Sequence, residues 1–208
     1  MLSNHGFDLW SSTYDASVQS AEQNNEYPFA GYSALMNAIY GTIMNYPHQN
    51  VFDIGFGTAL LTSKLYDAGH RITGIDFSPE MVKIAQAKMP NAQLILHDFA
   101  IGLPTTLPPL SFDYIVSTYA LHHLTDEHKI QFLSTLLDLL SPTGAILLGD
   151  VGFQSRQDLE QCRAATGNAW DDEEHYFVFS ELHAALHTKC TLTFHSYSHC
   201  SGIIEIRK

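Results

Sequence analysis

From about residue 50 onward, short apolar runs alternate with segments of helical period, and the chain closes on two β-rich runs joined by a very short link. Strands are expected at residues 50–56, 71–77, 92–99, 112–119 and 145–151. Between the first two, Leu61, Leu65 and Ala68 mark a helix that Gly69 terminates. Ser78 caps the next, with Pro79 at its first position and Glu80 near the positive end of its dipole, and Pro90 closes it. Pro104, Pro108 and Pro109 exclude a central strand between the third and fourth. From Thr125 onward Ile130, Leu133, Leu136, Leu137 and Leu140 recur at helical spacing, and Ser141-Pro142-Thr143-Gly144 is expected to turn the chain into the fifth strand. Strand–helix–strand units of this kind make a parallel sheet covered by helices on both faces. Residues 199–201 are too few for a parallel crossover, so the runs at 191–197 and 202–206 must form an antiparallel hairpin. Further helices are expected at Arg156–Thr166, 180–187, 7–19 and 29–46. The expected organisation is one domain over 1–208, in which residues 1–45 form a helical cap over the ligand site of a core at 46–208.

Composition narrows the function classes. A formal charge of -12 would repel a phosphate backbone, so nucleic acid is not the expected partner. No apolar run approaches the roughly 18 residues that span a membrane, and the opening MLSNHGFDLWSS lacks the basic and apolar regions of a secretory signal. A cytoplasmic protein is expected. Cys162, Cys190 and Cys200 form neither an even disulfide framework nor a CxxC pair, and read as reduced and structural.

Val51-Phe52-Asp53-Ile54-Gly55-Phe56-Gly57-Thr58-Ala59 is an apolar strand running into a glycine turn at a helix start. Gly55 and Gly57 allow a tight turn and let a ligand approach the backbone, where the free N–H groups of the next helix face it. A dinucleotide fingerprint would place its third small residue at position 60, which is Leu60, while the small residue is Ala59. Asp76 closes the second strand about 20 residues after the glycines, where a carboxylate can accept from ribose hydroxyls. Asp98 stands at the end of the third strand.

Asp53, Asp76 and Asp98 at three successive strand ends, with the closing hairpin, resemble the class I methyltransferases that use S-adenosylmethionine (SAM). That resemblance implies a Rossmann-like α/β fold: a mostly parallel seven-stranded sheet with an antiparallel last strand and helices on both faces. It implies that Asp53 helps hold the amino acid part of SAM. Asp98 would accept from the adenine amino group, and the apolar neighbours Phe77 and Phe99 belong to the same cofactor site. Three further segments, residues 9–15, 115–127 with its His122-His123-Leu124-Thr125-Asp126 run, and Gly149-Asp150-Val151, are similar to the YrrT-like bacterial methyltransferases. By that likeness Tyr14 would reach the methionine end of SAM, and residues 119–123 would line the cofactor and substrate side. The family's third motif glycine is Ala59 here, which would add a methyl near the cofactor. The implied reaction is methyl transfer to an unidentified small-molecule acceptor. A non-catalytic SAM-binding regulatory module is the alternative, and an NAD(P)-dependent oxidoreductase, disfavoured by Leu60 and the hairpin, is a second.

Methyl transfer from a sulfonium is an in-line displacement for which positioning supplies about 7 to 11 kcal/mol of the barrier. If the acceptor carries a proton, His123, His122, Tyr119 and Asp150 are the candidate bases. His123 ranks above His122, because neighbours on an extended segment point opposite ways and only one would face the pocket. His183 and His187 lie four apart on one helix, but no HExxH or CxxC spacing occurs, so no metal site is expected. The aromatics Trp10, Tyr27, Phe29 and Tyr32 read as packing of the cap, and Asp171-Asp172-Glu173-Glu174 as a solvated loop. The sequence sets no oligomeric state.

Overall fold

The computed structural model describes residues 18, 20, 21, 23–107 and 111–208. The helix expected at 7–19, Tyr14, Trp10 and the prolines at 108 and 109 lie outside the described residues. Helix α1 (Tyr32–Met44) precedes β1 (Asn50–Ile54), α2 (Leu60–Asp67), β2 (Arg71–Asp76), α3 (Pro79–Lys88), β3 (Gln93–Leu96) and β4 (Phe112–Thr118). Then come α4 (Asp126–Leu139), β5 (Leu140–Phe153), α5 (Arg156–Thr166), β6 (Phe177–Val178), α6 (Phe179–Leu186), β7 (Thr191–Ser196) and β8 (Ser201–Arg207). Strand order is β3-β2-β1-β4-β5-β8-β7, with the two-residue β6 pairing with β5. The pairs among β1 to β5 are parallel, whereas β8 runs antiparallel to both β5 and β7. This is the Rossmann-like arrangement that the hairpin implied.

Alternation along the strands sends side chains to two separate cores. Val51, Tyr114, Val116, Ala145 and Leu147 pack on one face with α1, α2 and α5. Phe52, Ile54, Ile115, Ile146 and Leu148 pack on the other with α4 and α6. A sheet buried on both faces explains the near-continuous apolar strands. The three cysteines are buried and free, and burial pushes each thiol above its ordinary range, Cys200 to about 11, which makes them inert.

Two expectations about boundaries fail for physical reasons. Ser141 to Gly144 do not leave the sheet: they lie within β5, taken up by an irregularity in which Phe112 pairs with Leu140 while Tyr114 already pairs with Ala145. The third strand ends at Leu96 rather than at residue 99, because the Asp98 carboxylate accepts from Ala100 N at 2.8 Å and starts a 3-10 turn, Phe99–Ile101.

Strand order reverses between β1 and β4: the chain steps outward from β1 through β2 to β3, then returns to β1's other side. The crevice outside the C-terminal ends of such strands is the place where α/β sheets bind ligands. Helix α1 overhangs it, held by Leu35, Ile39 and Ile43, which are buried one turn apart on a single stripe. Its close approach depends on Gly149, where an added Cβ would lie 2.5 Å from Leu35 Cδ2 and 2.8 Å from Ile39 Cδ1. Gly149→Ala should therefore cost about 1 to 3 kcal/mol by overpacking. Urea unfolding measures this, and wild-type stability in the variant would contradict the tight contact.

Candidate active site

At the reversal point a pocket encloses about 760 Å³, its open mouth included. β1 and its turn contribute Asp53, Gly55 and Gly57, the end of β2 contributes Asp76 and Phe77, and the segment after β4 contributes Tyr119, Ala120 and His123. Phe99 closes one side, and Tyr32 and Met36 of α1 close another. Of the residues singled out in the sequence, Asp53, Gly55, Gly57, Asp76, Phe77, Phe99, Tyr119 and His123 thus share one cavity.

The turn after β1 is held from below. Asp76 is 4% exposed, and its carboxylate accepts from Gly57 N at 2.8 Å and from Ser78 N at 2.9 Å. One side chain therefore fixes the glycine turn and the start of α3, which Ser78 caps by accepting from Met81 N. Gly55 and Gly57 have φ of 71° and 53°, in the left-handed region that favours glycine. Ala59 has φ 59° as well, yet its methyl belongs to the core beneath the sheet and not to the pocket wall. The expected extra methyl beside the cofactor is therefore absent from the cavity.

Asp53 is the most costly group in the site. It is 2% exposed, its Oδ2 accepts from the Thr62 hydroxyl, and its Oδ1 has no partner among the described residues. Burial, only partly offset by Thr62 and reinforced by the nearby Asp76 charge, pushes its carboxyl up to about 7. Tyr119 adopts φ 50° and is flanked by Phe29 and Tyr32 at ring-centroid distances of 5.2 and 5.3 Å. Burial, then Asp150 and Cys200, push its phenol far above the ordinary value. Tyr119 is therefore held as the neutral phenol. Tyr32, read from sequence as packing only, does that and also walls the pocket.

His122 and His123 sit on a 3-10 turn, Leu121–His123, rather than on an extended segment. Their rings consequently lie 4.4 Å apart instead of pointing to opposite sides. His122 Nδ1 is 2.6 Å from Asp150 Oδ1, and His123 Nδ1 is 2.9 Å from Glu174 Oε2. Burial opposes the charge on His122, but Asp150 and then Glu174 outweigh it and raise its pKa. Burial likewise opposes the Glu174 charge, but its hydrogen bond with His123 and the two imidazoles hold it below the ordinary carboxylate range. Glu174 is thus a site group and not part of a solvated loop, a role its place in a run of four acids concealed. Asp98 does not fall on the pocket wall: it is exposed and caps the turn after β3.

Residues 51–144 match the family described as a methyltransferase domain. An uncharacterized methyltransferase of Geobacillus kaustophilus is 35% identical over 189 residues, which cover 88% of this chain and 85% of that one. One of Oceanobacillus iheyensis is 33% identical over 177 residues, covering 82% and 80%. The chain belongs to the methyltransferase family. Solved structures agree on the fold of this methyltransferase. A complex of DhpI with SAM and HEP matches with a TM-score of 0.71 at 18% identity, over 97% of this chain and 94% of that one. Magnesium protoporphyrin IX methyltransferase (ChlM) of Synechocystis PCC 6803 with bound SAM matches with a TM-score of 0.63 at 18% identity, over 100% and 99%. Neither the oxidoreductase nor the non-catalytic alternative finds support in these matches.

The two glycines of the turn can be told apart by stability. A Cβ on Gly55 would lie 2.6 Å from Ala120 Cβ, whereas one on Gly57 meets nothing within 4 Å. Gly55→Ala should cost about 2 to 4 kcal/mol, from left-handed strain plus overpacking, against about 1 to 2 for Gly57→Ala, from strain alone. Equal losses in chemical denaturation would contradict the close approach of the turn to Ala120.

Proposed function

We propose that this methyltransferase binds SAM in the pocket beneath α1 and transfers its methyl group to a small-molecule acceptor. The observation that carries the reading is Asp53, a buried carboxylate in the pocket wall with one oxygen unpartnered among the described residues. An apolar or anionic ligand would leave that oxygen unsatisfied, whereas the α-ammonium of SAM supplies both a donor and a positive charge. When bound, SAM contributes an electrophilic methyl on sulfur; the chain's own residues do the positioning.

In this reading the N–H groups at the start of α2 face the ligand, Asp76 accepts from the ribose hydroxyls, and Phe77 and Phe99 border the purine. The Asp98 contact to the adenine amino group and the Tyr14 contact to the methionine end rest on the family resemblance, as does the narrower YrrT-like likeness. Tyr32, Met36 and Tyr119 cover the site from the α1 side and exclude water, the role proposed for the N-terminal cap of a one-domain protein. His123, the histidine that lines the pocket, exchanges the acceptor's proton, and Glu174 orients its ring. A small acceptor rather than nucleic acid, and a cytoplasmic location, belong to the same proposal. They are supported by the net charge of -12 and by the lack, among the described residues, of a helix long and apolar enough to cross a membrane.

Asp53 makes the reading testable by pH. With the ligand absent, its raised pKa favours the protonated form in the folded state, so this group's contribution to stability is present at low pH and is lost as pH rises through about 7. The ammonium needs the ionised form, so SAM affinity should fall about tenfold per pH unit below about 7. Calorimetry with SAM and S-adenosylhomocysteine at pH 5.5 to 8 reads this directly. In Asp53→Asn the affinity at pH 8 should drop by roughly tenfold or more, the cost of losing a charge-assisted hydrogen bond, and the slope below 7 should vanish. Wild-type affinity in the variant, or binding of NADH in place of SAM, would sink the proposal.

A further inference from the structure

We infer that His122, His123 and Glu174 form a binding site for a divalent transition-metal ion of the zinc class on the acceptor side of the pocket. Each offers one ligand atom, and the three atoms lie within 4.8 Å of one another. Glu174 Oε2 is the shared vertex, 2.9 Å from His123 Nδ1 and 3.9 Å from His122 Nε2. Metal–ligand bonds of about 2.0 to 2.1 Å in a tetrahedron put ligand atoms about 3.4 Å apart. These two distances straddle that edge, and the third pair of ligand atoms lies within 4.8 Å.

The surroundings are those of a metal centre and not merely of two ion pairs. His122 turns its other nitrogen, Nδ1, onto Asp150 at 2.6 Å, the carboxylate–histidine arrangement that fixes a ligating ring and raises its basicity. The Glu174 segment is pinned beside the histidines by His175 N donating to His122 O at 2.8 Å. The neighbouring cation, Lys129, is directed to Asp126 and the His175 carbonyl. The ligand side chains are 10 to 16% exposed, covered enough to be ordered yet open to an entering ion. Two imidazoles and one carboxylate suit zinc, cobalt or nickel rather than calcium or magnesium. Glu174 stands 51 residues from His123, a separation that no short spacing motif covers.

His123 also lines the pocket, so an ion held on it would border the acceptor space. This consequence, which rests on the methyl-transfer reading and gives the ion the proton-handling role that His123 has without it, names the acceptor class: a hydroxyl or thiol whose proton the ion helps release to water. The acceptor oxygen or sulfur then bonds to the methyl carbon as the carbon–sulfur bond of the donor breaks, with that electron pair remaining on the donor sulfur. Ion binding itself does not depend on this step.

The test uses the full chain stripped with chelator and titrated separately with Zn²⁺ by calorimetry and with Co²⁺ by visible absorption. The expected result is saturation at one ion per chain with a tetrahedral Co²⁺ spectrum. His122→Ala, His123→Ala and Glu174→Gln should each weaken binding by roughly tenfold or more, and Asp150→Asn by about tenfold to a hundredfold through its hold on His122. The exposed pair His183 and His187, with rings 5.6 Å apart, is the competing surface site, and the double variant H183A/H187A should bind as the wild type does. Thermal melts and S-adenosylhomocysteine binding by each variant report folding. No saturable binding by the wild type would overturn the proposal, as would binding retained in folded His123→Ala and Glu174→Gln or lost in H183A/H187A. Ion binding with no affinity for SAM or S-adenosylhomocysteine would overturn the cofactor reading and leave this one standing.

Discussion

The Asp76 carboxylate, accepting at once from Gly57 N and Ser78 N, joins the two strand ends from which the pocket is built. Without it the glycine turn would have no fixed floor, and α3 would lose one of the contacts that set its start. Because both bonds come from backbone amides to a buried charged acceptor, they are stronger than neutral pairs. The turn's left-handed residues are held in place by this bond and by Gly55 N donating to Ile75 O at 2.8 Å. Local strain is thus supported by a neighbouring strand, the usual condition under which it persists at a binding site.

Around this floor the protein tolerates several groups that a maximally stable fold would omit. Among the described residues, Asp53 carries a buried oxygen without a partner, and Tyr119 combines positive φ with a buried hydroxyl that lacks one too. Each lowers stability and each faces the same cavity. The offset comes from elsewhere: two extensive apolar cores, one on each face of the sheet, and the close seating of α1 over Gly149. Local penalties gathered in one place and compensated at a distance are a signature of a site shaped for a ligand.

Most of the architecture was legible in the residues because it depends on periodicity and on short-range chemistry. Arg156–Thr166 coincides with a helix, Ser78 caps where its neighbours said it would, and the short link forced the final strands to be antiparallel. What failed depended on pairing or on distant partners. Ser141 to Gly144 read as a turn, yet the neighbouring strand accommodates them inside β5. The third strand stopped short of its expected end, because the Asp98 carboxylate caps the turn that follows. His122 and His123 lie side by side because a 3-10 turn replaces an extended segment, although only His123 lines the pocket. Glu174 sat in a run of four acids, and nothing local distinguished the one that faces the histidines from those that face water.

β6 is only two residues long, but by pairing Phe177 and Val178 with the end of β5 it brings the stretch before it against the histidine turn. Asp150, Glu174 and His175 all fall beyond residues 51–144, whereas the glycine turn, Asp76 and both histidines fall within them. The site is therefore assembled from two separately written stretches, a first one that forms the floor of the cavity and a later one that supplies the carboxylates behind the histidines. The histidine turn is the seam at which the two are joined.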